Sequence, residues 1–181
     1  MRASEVIRTV SDYIKGACVV TTGVGQHQQL VAKHFKFDYP NRIFLTSGGH
    51  GAMGYELPSA LGAKLTYPER DVICFAGDGS MHMNIQELIT AKVYDLPILV
   101  IVLDNKQLGM VSQHQRSIWG DDPTTGDKIN PNFAGIATAN GWLGCKTDEI
   151  EDLKIKLRYA RKREPSLIHC IVEEEDIEIL K

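Results

Sequence analysis

Asp78 and Asn105 are the two residues of this sequence best suited to hold a hard metal ion. Asp78 stands between Gly77 and Gly79 at the end of an apolar run, and Asn105 follows Gly79 after 25 intervening residues, at the end of the next such run. A carboxylate and an amide oxygen are ligands for Mg²⁺ or Ca²⁺. One backbone carbonyl, two diphosphate oxygens and a water would bring the count to about six. A diphosphate is the natural anion here, because glycine-rich turns surround the pair. Thr22-Gly23-Val24-Gly25-Gln26-His27, Ser47-Gly48-Gly49-His50-Gly51-Ala52-Met53-Gly54, Gly77-Asp78-Gly79-Ser80 and Asp104-Asn105-Lys106-Gln107-Leu108-Gly109-Met110 each close an apolar stretch. Glycines let backbone N–H groups approach a ligand, and helix N-termini add positive dipole ends. One such turn serves any strand-to-helix connection; four at one edge of a sheet make an anion cradle.

The elements that must position these turns are strands alternating with helices. Residues 18–22, 72–76, 98–104 and 167–173 read as strands, with a short fifth at 43–46. Their near-continuous hydrophobicity implies strands covered on both faces, hence a parallel sheet. Helical patterns fill 4–14, 26–34, 58–67, 84–94, 131–140 and 149–163, with Pro58 at a first helical position. The expected fold class is therefore α/β, a doubly wound, mainly parallel sheet with helices on both faces, formed as one domain over residues 1–181. Ligands of such sheets lie beyond the carboxyl ends of the strands, where the four turns sit. The polar stretch from Gln113 to Asn130 breaks the alternation and reads as a mobile loop over the site.

Composition narrows the function classes. The 181 residues are 43% hydrophobic and 24% charged with net charge −3, the profile of a globular domain without a basic nucleic-acid surface. The basic residues between Lys154 and Arg163 alternate with Leu and Ile and read as a solvated helix face. Cys18, Cys74, Cys145 and Cys170 form no C-x-x-C pair and read as buried free thiols of a reducing compartment. No apolar stretch reaches membrane-spanning length and no signal-peptide core is visible, so no membrane partner and a cytoplasmic location are expected. A dinucleotide fold is disfavoured by the lack of G-x-G-x-x-G with its downstream acid.

The Gly77-Asp78-Gly79…Asn105 pair resembles the thiamine-diphosphate motif. With Val24-Gly25-Gln26-His27-Gln28, Ser47–Gly54, Asn84-Ile85-Gln86-Glu87-Leu88 and Leu108-Gly109-Met110-Val111, the chain from about residue 5 to 173 resembles the C-terminal domain of acetolactate synthase (acetohydroxyacid synthase) large subunits. The resemblance implies thiamine diphosphate and Mg²⁺ as cofactors. Asp78, the Asn105 side chain and the Gln107 carbonyl would hold the metal. Val24, Gly25, Gln26, His27, Gly79, Ser80, Leu108, Gly109 and Met110 would surround the diphosphate. Met53 would wedge the cofactor into a bent shape, and the Gly51 carbonyl would accept from the pyrimidine amino group.

The implied parent reaction is decarboxylation of a 2-oxo acid such as pyruvate followed by carboligation, a step of branched-chain amino acid biosynthesis. Its catalytic residues are unknown here, because the activating glutamate belongs to a pyrimidine-binding domain that nothing in this chain matches. The chain is expected to be a C-terminal fragment that works with that domain in a homodimer; a natural small subunit, as in split enzymes such as sulfopyruvate decarboxylase, is the other reading. Among the remaining residues, His34, His82 and His169 read as structural and without identifiable partners, His50 and His114 as neighbours of the substrate, and Glu87 as a buried carboxylate. Three positions depart from the family pattern: Asp104 replaces the first Asn of Asn-Asn, His114 a usual Trp, and His50 a usually apolar residue. The departures leave open another thiamine-diphosphate decarboxylase or carboligase, or a cofactor-holding module inactive without its partner domain.

Overall fold

Apolar runs of five to seven residues, rich in Val, Ile and Phe, settle into strands because both of their faces can be buried. A computed structural model describes residues 1–120, 129–160 and 164–177. Its elements run α1 (Ala3–Tyr13), β1 (Cys18–Thr22), α2 (Gln26–His34), β2 (Arg42–Thr46), α3 (Glu56–Thr66), β3 (Asp71–Gly77), α4 (Asp78–Met81), α5 (Glu87–Val93), β4 (Leu99–Asp104), α6 (Gly109–Trp119), α7 (Phe133–Ala139), β5 (Leu143–Thr147), α8 (Ile150–Ala160) and β6 (Ser166–Ile171). All strand pairings are parallel, in the order β2-β1-β3-β4-β6-β5. The sheet is the doubly wound α/β arrangement expected.

Both faces of the sheet are covered. Leu99, Ile101 and Leu103 of β4 join Val20, Phe75 and Ile168 beneath α1, α2 and α8. The alternate residues Val100 and Val102 join Val19, Cys74 and Leu167 beneath α3, α5 and α7. The period of two survives inside a continuous apolar run because both faces need hydrophobes.

The strand order reverses at β1. The chain leaves β1 through α2 for β2 on one side, then returns through α3 to β3 on the other. Connections that diverge in this way open a crevice at the carboxyl ends of β1 and β3, the place where such sheets bind ligands.

The differences from the sequence reading have local causes. The stretch read as a loop from Gln113 begins as helix α6, which runs to Trp119. Ser112 is its one buried residue, so no apolar stripe announced it. Residues 121–128, the centre of the expected loop, lie outside the described residues. β5 was missed because Leu143-Gly144-Cys145-Lys146-Thr147 is a half-buried edge strand with a glycine inside it. The helix expected over 84–94 is shorter, α5 starting only at Glu87, and the four-residue α4 that precedes it was not expected. Pro58 is the third residue of α3, still in the first turn, where its missing N–H leaves no bond unmade.

All four cysteines are free; Cys18, Cys74 and Cys170 are buried and Cys145 is partly so. Lys154, paired with Glu151, and Arg158 of α8 face solvent, whereas Lys156, paired with Asp152, is half-buried; residues 161–163 lie outside the described residues. Among the described residues no helix is long and apolar enough to cross a membrane.

Candidate functional site

Three of the strand ends converge on one pocket. The β1–α2 turn contributes Val24, Gly25, Gln26 and His27, the β3–α4 turn Asp78, Gly79 and Ser80, and the β4–α6 turn Asn105, Gln107, Leu108, Gly109 and Met110. Met53, from the segment after β2, completes the wall. Gly51 does not reach the pocket. It is exposed and stands behind Val24, whose N–H donates to the neighbouring Ala52 carbonyl at 3.3 Å. His50 and His114 are exposed and are not pocket residues.

The chemistry of the walls favours an anion held through a cation. Among the described residues no Lys or Arg lines the pocket. Helices α2 and α6 both begin there, and neither N-cap residue (Gly25, Leu108) supplies a side-chain cap. Their first N–H groups are thus available to a ligand. Gly25 has φ +146°, a backbone conformation that a side chain would strain. A Cβ on Gly79 would stand 2.6 Å from Leu108 and 3.4 Å from the Met53 methyl, so the floor there is backbone at close range.

His27 is buried and its Nε2 has no hydrogen-bond partner. Burial pushes its pKa down to about 4, so the ring is neutral at ordinary pH. A neutral imidazole nitrogen without a partner, in a wall between two helix starts, is a group awaiting a ligand.

Asp78 is 2% exposed. Its Oδ1 accepts from the Gly79 amide at 2.8 Å and its Oδ2 from Asn130 Nδ2 at 2.6 Å. Asn105 Oδ1 accepts from the Gln107 amide at 3.2 Å, which closes the turn that presents both residues. A carboxylate, an amide oxygen and a carbonyl at this edge are oxygen donors that fit Mg²⁺.

Several functional neighbours escaped the sequence reading. His169 is not without a partner. Its Nε2 lies 2.7 Å from Asp104 Oδ2, both side chains being almost fully buried. Burial pushes the Asp104 carboxyl up, but hydrogen bonds from His169, Asn130 and the Lys106 amide outweigh this and hold it below the usual carboxylate range. His82 meets Asn130 Oδ1 at 3.3 Å, and His34 meets Arg8 at 3.0 Å. Glu87 is half-buried rather than buried. Gln113 accepts from Gln26 Nε2 at 2.8 Å and so ties α6 to the first cradle turn. No spacing rule joins residues so far apart in sequence, although the Asp104 departure from an amide did mark the spot.

Glu56 is the other group that was missed. It is fully buried, with the Ser80 hydroxyl and nearby backbone amides as its polar neighbours. A Cβ on Gly23 would fall 2.0 Å from its Oε2 and 2.8 Å from Ser80 Oγ, which places the acid beneath the cradle. Burial pushes its pKa above the ordinary 4.5, and the Ser80 hydroxyl and nearby amides only partly counter it. The folded chain therefore keeps a proton that the unfolded chain loses, and stability falls as pH rises above 4.5. Glu56→Gln removes that cost. Its melting temperature is expected to exceed the parent's by a margin that is absent below pH 4.5 and grows as pH rises above it. Parallel melting curves across that range would refute the buried acid.

The chain matches the family model for the "Thiamine pyrophosphate enzyme, C-terminal TPP binding domain" over residues 23–170. It is 43% identical over 164 residues to an acetolactate synthase large subunit of Buchnera aphidicola subsp. Schlechtendalia chinensis, covering 90% of this chain and 28% of that protein. It is 44% identical over 161 residues to the acetolactate synthase isozyme 3 large subunit of Escherichia coli K12 (88% of this chain, 28% of the relative). With the large subunit of Lactococcus lactis the identity is 35% over 177 residues (97% and 31%). The chain thus spans less than a third of the length of these relatives.

Proposed function

The chain belongs to the family of thiamine pyrophosphate enzymes as their C-terminal TPP-binding domain, and on that premise we propose that it grips the diphosphate through Mg²⁺ and forms half the active site of an acetolactate synthase-like enzyme. The observation that carries this reading is the convergence of Asp78, Asn105 and two uncapped helix starts on one pocket lined, among the described residues, by no Lys or Arg. A diphosphate placed there needs both amide donors and a divalent cation.

In this proposal Asp78, the Asn105 side chain and the Gln107 carbonyl hold the Mg²⁺. The amides at the starts of α2 and α6 meet phosphate oxygens, and His27 Nε2 donates to one of them. The Met53 side chain presses against the organic part of the cofactor. Bound thiamine diphosphate supplies the electron sink for cleavage beside a 2-oxo group. This chain's residues anchor and orient it, and exclude water from the diphosphate. The substrate would be a 2-oxo acid such as pyruvate, with carboligation to a second carbonyl.

The other half of the site would come from a pyrimidine-binding domain with the activating glutamate, in a dimer of the longer enzyme. Exposed apolar side chains on this chain, Val93 and Tyr94 at the end of α5 and Ile118 and Trp119 at the end of α6, give such a domain something to cover. The test is reconstitution. Acetolactate formation from pyruvate is expected only when the chain is joined to the N-terminal two-thirds of a relative, and not from the chain alone. Turnover of a different 2-oxo acid by the joined enzyme would support a related decarboxylase or carboligase; activity of the chain alone would overturn the half-site reading.

A further inference from the structure

Asn130 sits just before α7, yet its side chain reaches across two strand ends. Its Nδ2 donates to Asp78 Oδ2 at 2.6 Å and to Asp104 Oδ1 at 2.7 Å. An amide nitrogen has two protons, and both are used. Its Oδ1 lies 3.3 Å from His82 Nε2. Turning the amide over would set Oδ1 between two carboxylate oxygens, so charge alone fixes its orientation.

Asp104 is held in turn. His169 Nε2 approaches its Oδ2 at 2.7 Å and the Lys106 amide its Oδ1 at 3.0 Å. Because a carboxylate only accepts, His169 carries its proton on Nε2. The Phe133 ring stands edge-on 5.1 Å from that imidazole and fixes its plane. His169 on β6, Asp104 on β4, Asn130 before α7 and Asp78 after β3 therefore form one hydrogen-bonded chain across three strand ends.

We propose that Asn130 is the positioning residue for Asp78, aligned by the Asp104–His169 pair so that the carboxylate is set for a divalent cation before the cation arrives. The inference rests on reading Asp78 as a metal ligand. Asn130 holds one carboxylate oxygen and the Gly79 amide the other, so rotation of the carboxylate is stopped at both ends. A ligand oriented in advance loses less freedom on binding, and groups in this role are worth about tenfold to a hundredfold in metal affinity.

The experiment is a titration of the chain with Mn²⁺ in excess thiamine diphosphate, with free Mn²⁺ followed by electron paramagnetic resonance. Asn130→Ala, Asn130→Ser and Asp78→Ala are compared with the parent chain, and each is also melted without metal. Weakening of Mn²⁺ binding by about tenfold to a hundredfold in both Asn130 variants, with metal-free melting unchanged, is the expected result. Parent-like Mn²⁺ affinity in both, while Asp78→Ala loses binding, would overturn the positioning role and leave the Asp78 reading intact. A lower metal-free melting temperature with unchanged affinity would make Asn130 merely structural and also overturn it. Failure of the parent chain to take up Mn²⁺ would overturn both readings.

Discussion

Asp78→Ala is expected to abolish the stabilisation that Mg²⁺ and thiamine diphosphate together give the chain. A ligand that binds only the native state adds about 2.7 kcal/mol at a hundredfold excess over its Kd. For a domain of this size that raises the melting temperature by about 5 to 10 °C. The parent chain should show that rise only when both ligands are present, because among the described residues no Lys or Arg lines the pocket to neutralise a diphosphate. Asp78 is the one carboxylate in the proposed ligand set, and Ala leaves Asn105 and a carbonyl, too little charge to hold Mg²⁺ beside water. Thermal melts of both chains with each ligand alone and with both make the check. A variant stabilised as strongly as the parent would mean that the carboxylate is not a metal ligand.

Phe133→Ala is expected to cost about 3 to 5 kcal/mol, the range for emptying a buried aromatic site. The ring is fully buried at the start of α7, edge-on to His82 and His169 at 5.1 Å each. Truncation removes the packing that joins α7 to β6 and leaves a cavity in the core. The melting temperature should fall by about 6 to 20 °C. Because the same ring orients His169 and through it Asp104, the loss should also weaken metal uptake. Urea unfolding with Mn²⁺ titration separates the two effects. A loss below about 1 kcal/mol would show that the ring is not a keystone of this core.

The sheet could be read from the sequence where burial is complete. β1 and α2 fall at the expected residues, and β3 and β4 differ from expectation by a residue at one or both ends. Where burial is partial the signal fades. β5 is a half-buried edge strand, and α6 is a polar helix whose one buried residue is Ser112. The cradle was legible because glycine and polar residues cluster at strand ends, a local pattern with a topological meaning. The cluster behind it was not. Asn130, Asp104 and His169 meet only through the order β3-β4-β6, which places residues 65 apart in sequence side by side. Glu56 lies outside the helix expected over 58–67 and drew no reading; only folding buries it beside Gly23 and Ser80.

The most direct test of the central claim is calorimetric titration of the chain with thiamine diphosphate, thiamine monophosphate and thiamine, each with and without Mg²⁺. Saturable binding of the diphosphate that requires Mg²⁺, with the other two ligands at least about tenfold weaker, is the predicted result; a tenfold difference corresponds to about 1.4 kcal/mol. Binding of unphosphorylated thiamine as tightly as the diphosphate, or diphosphate binding indifferent to Mg²⁺, would contradict the metal-bridged cradle.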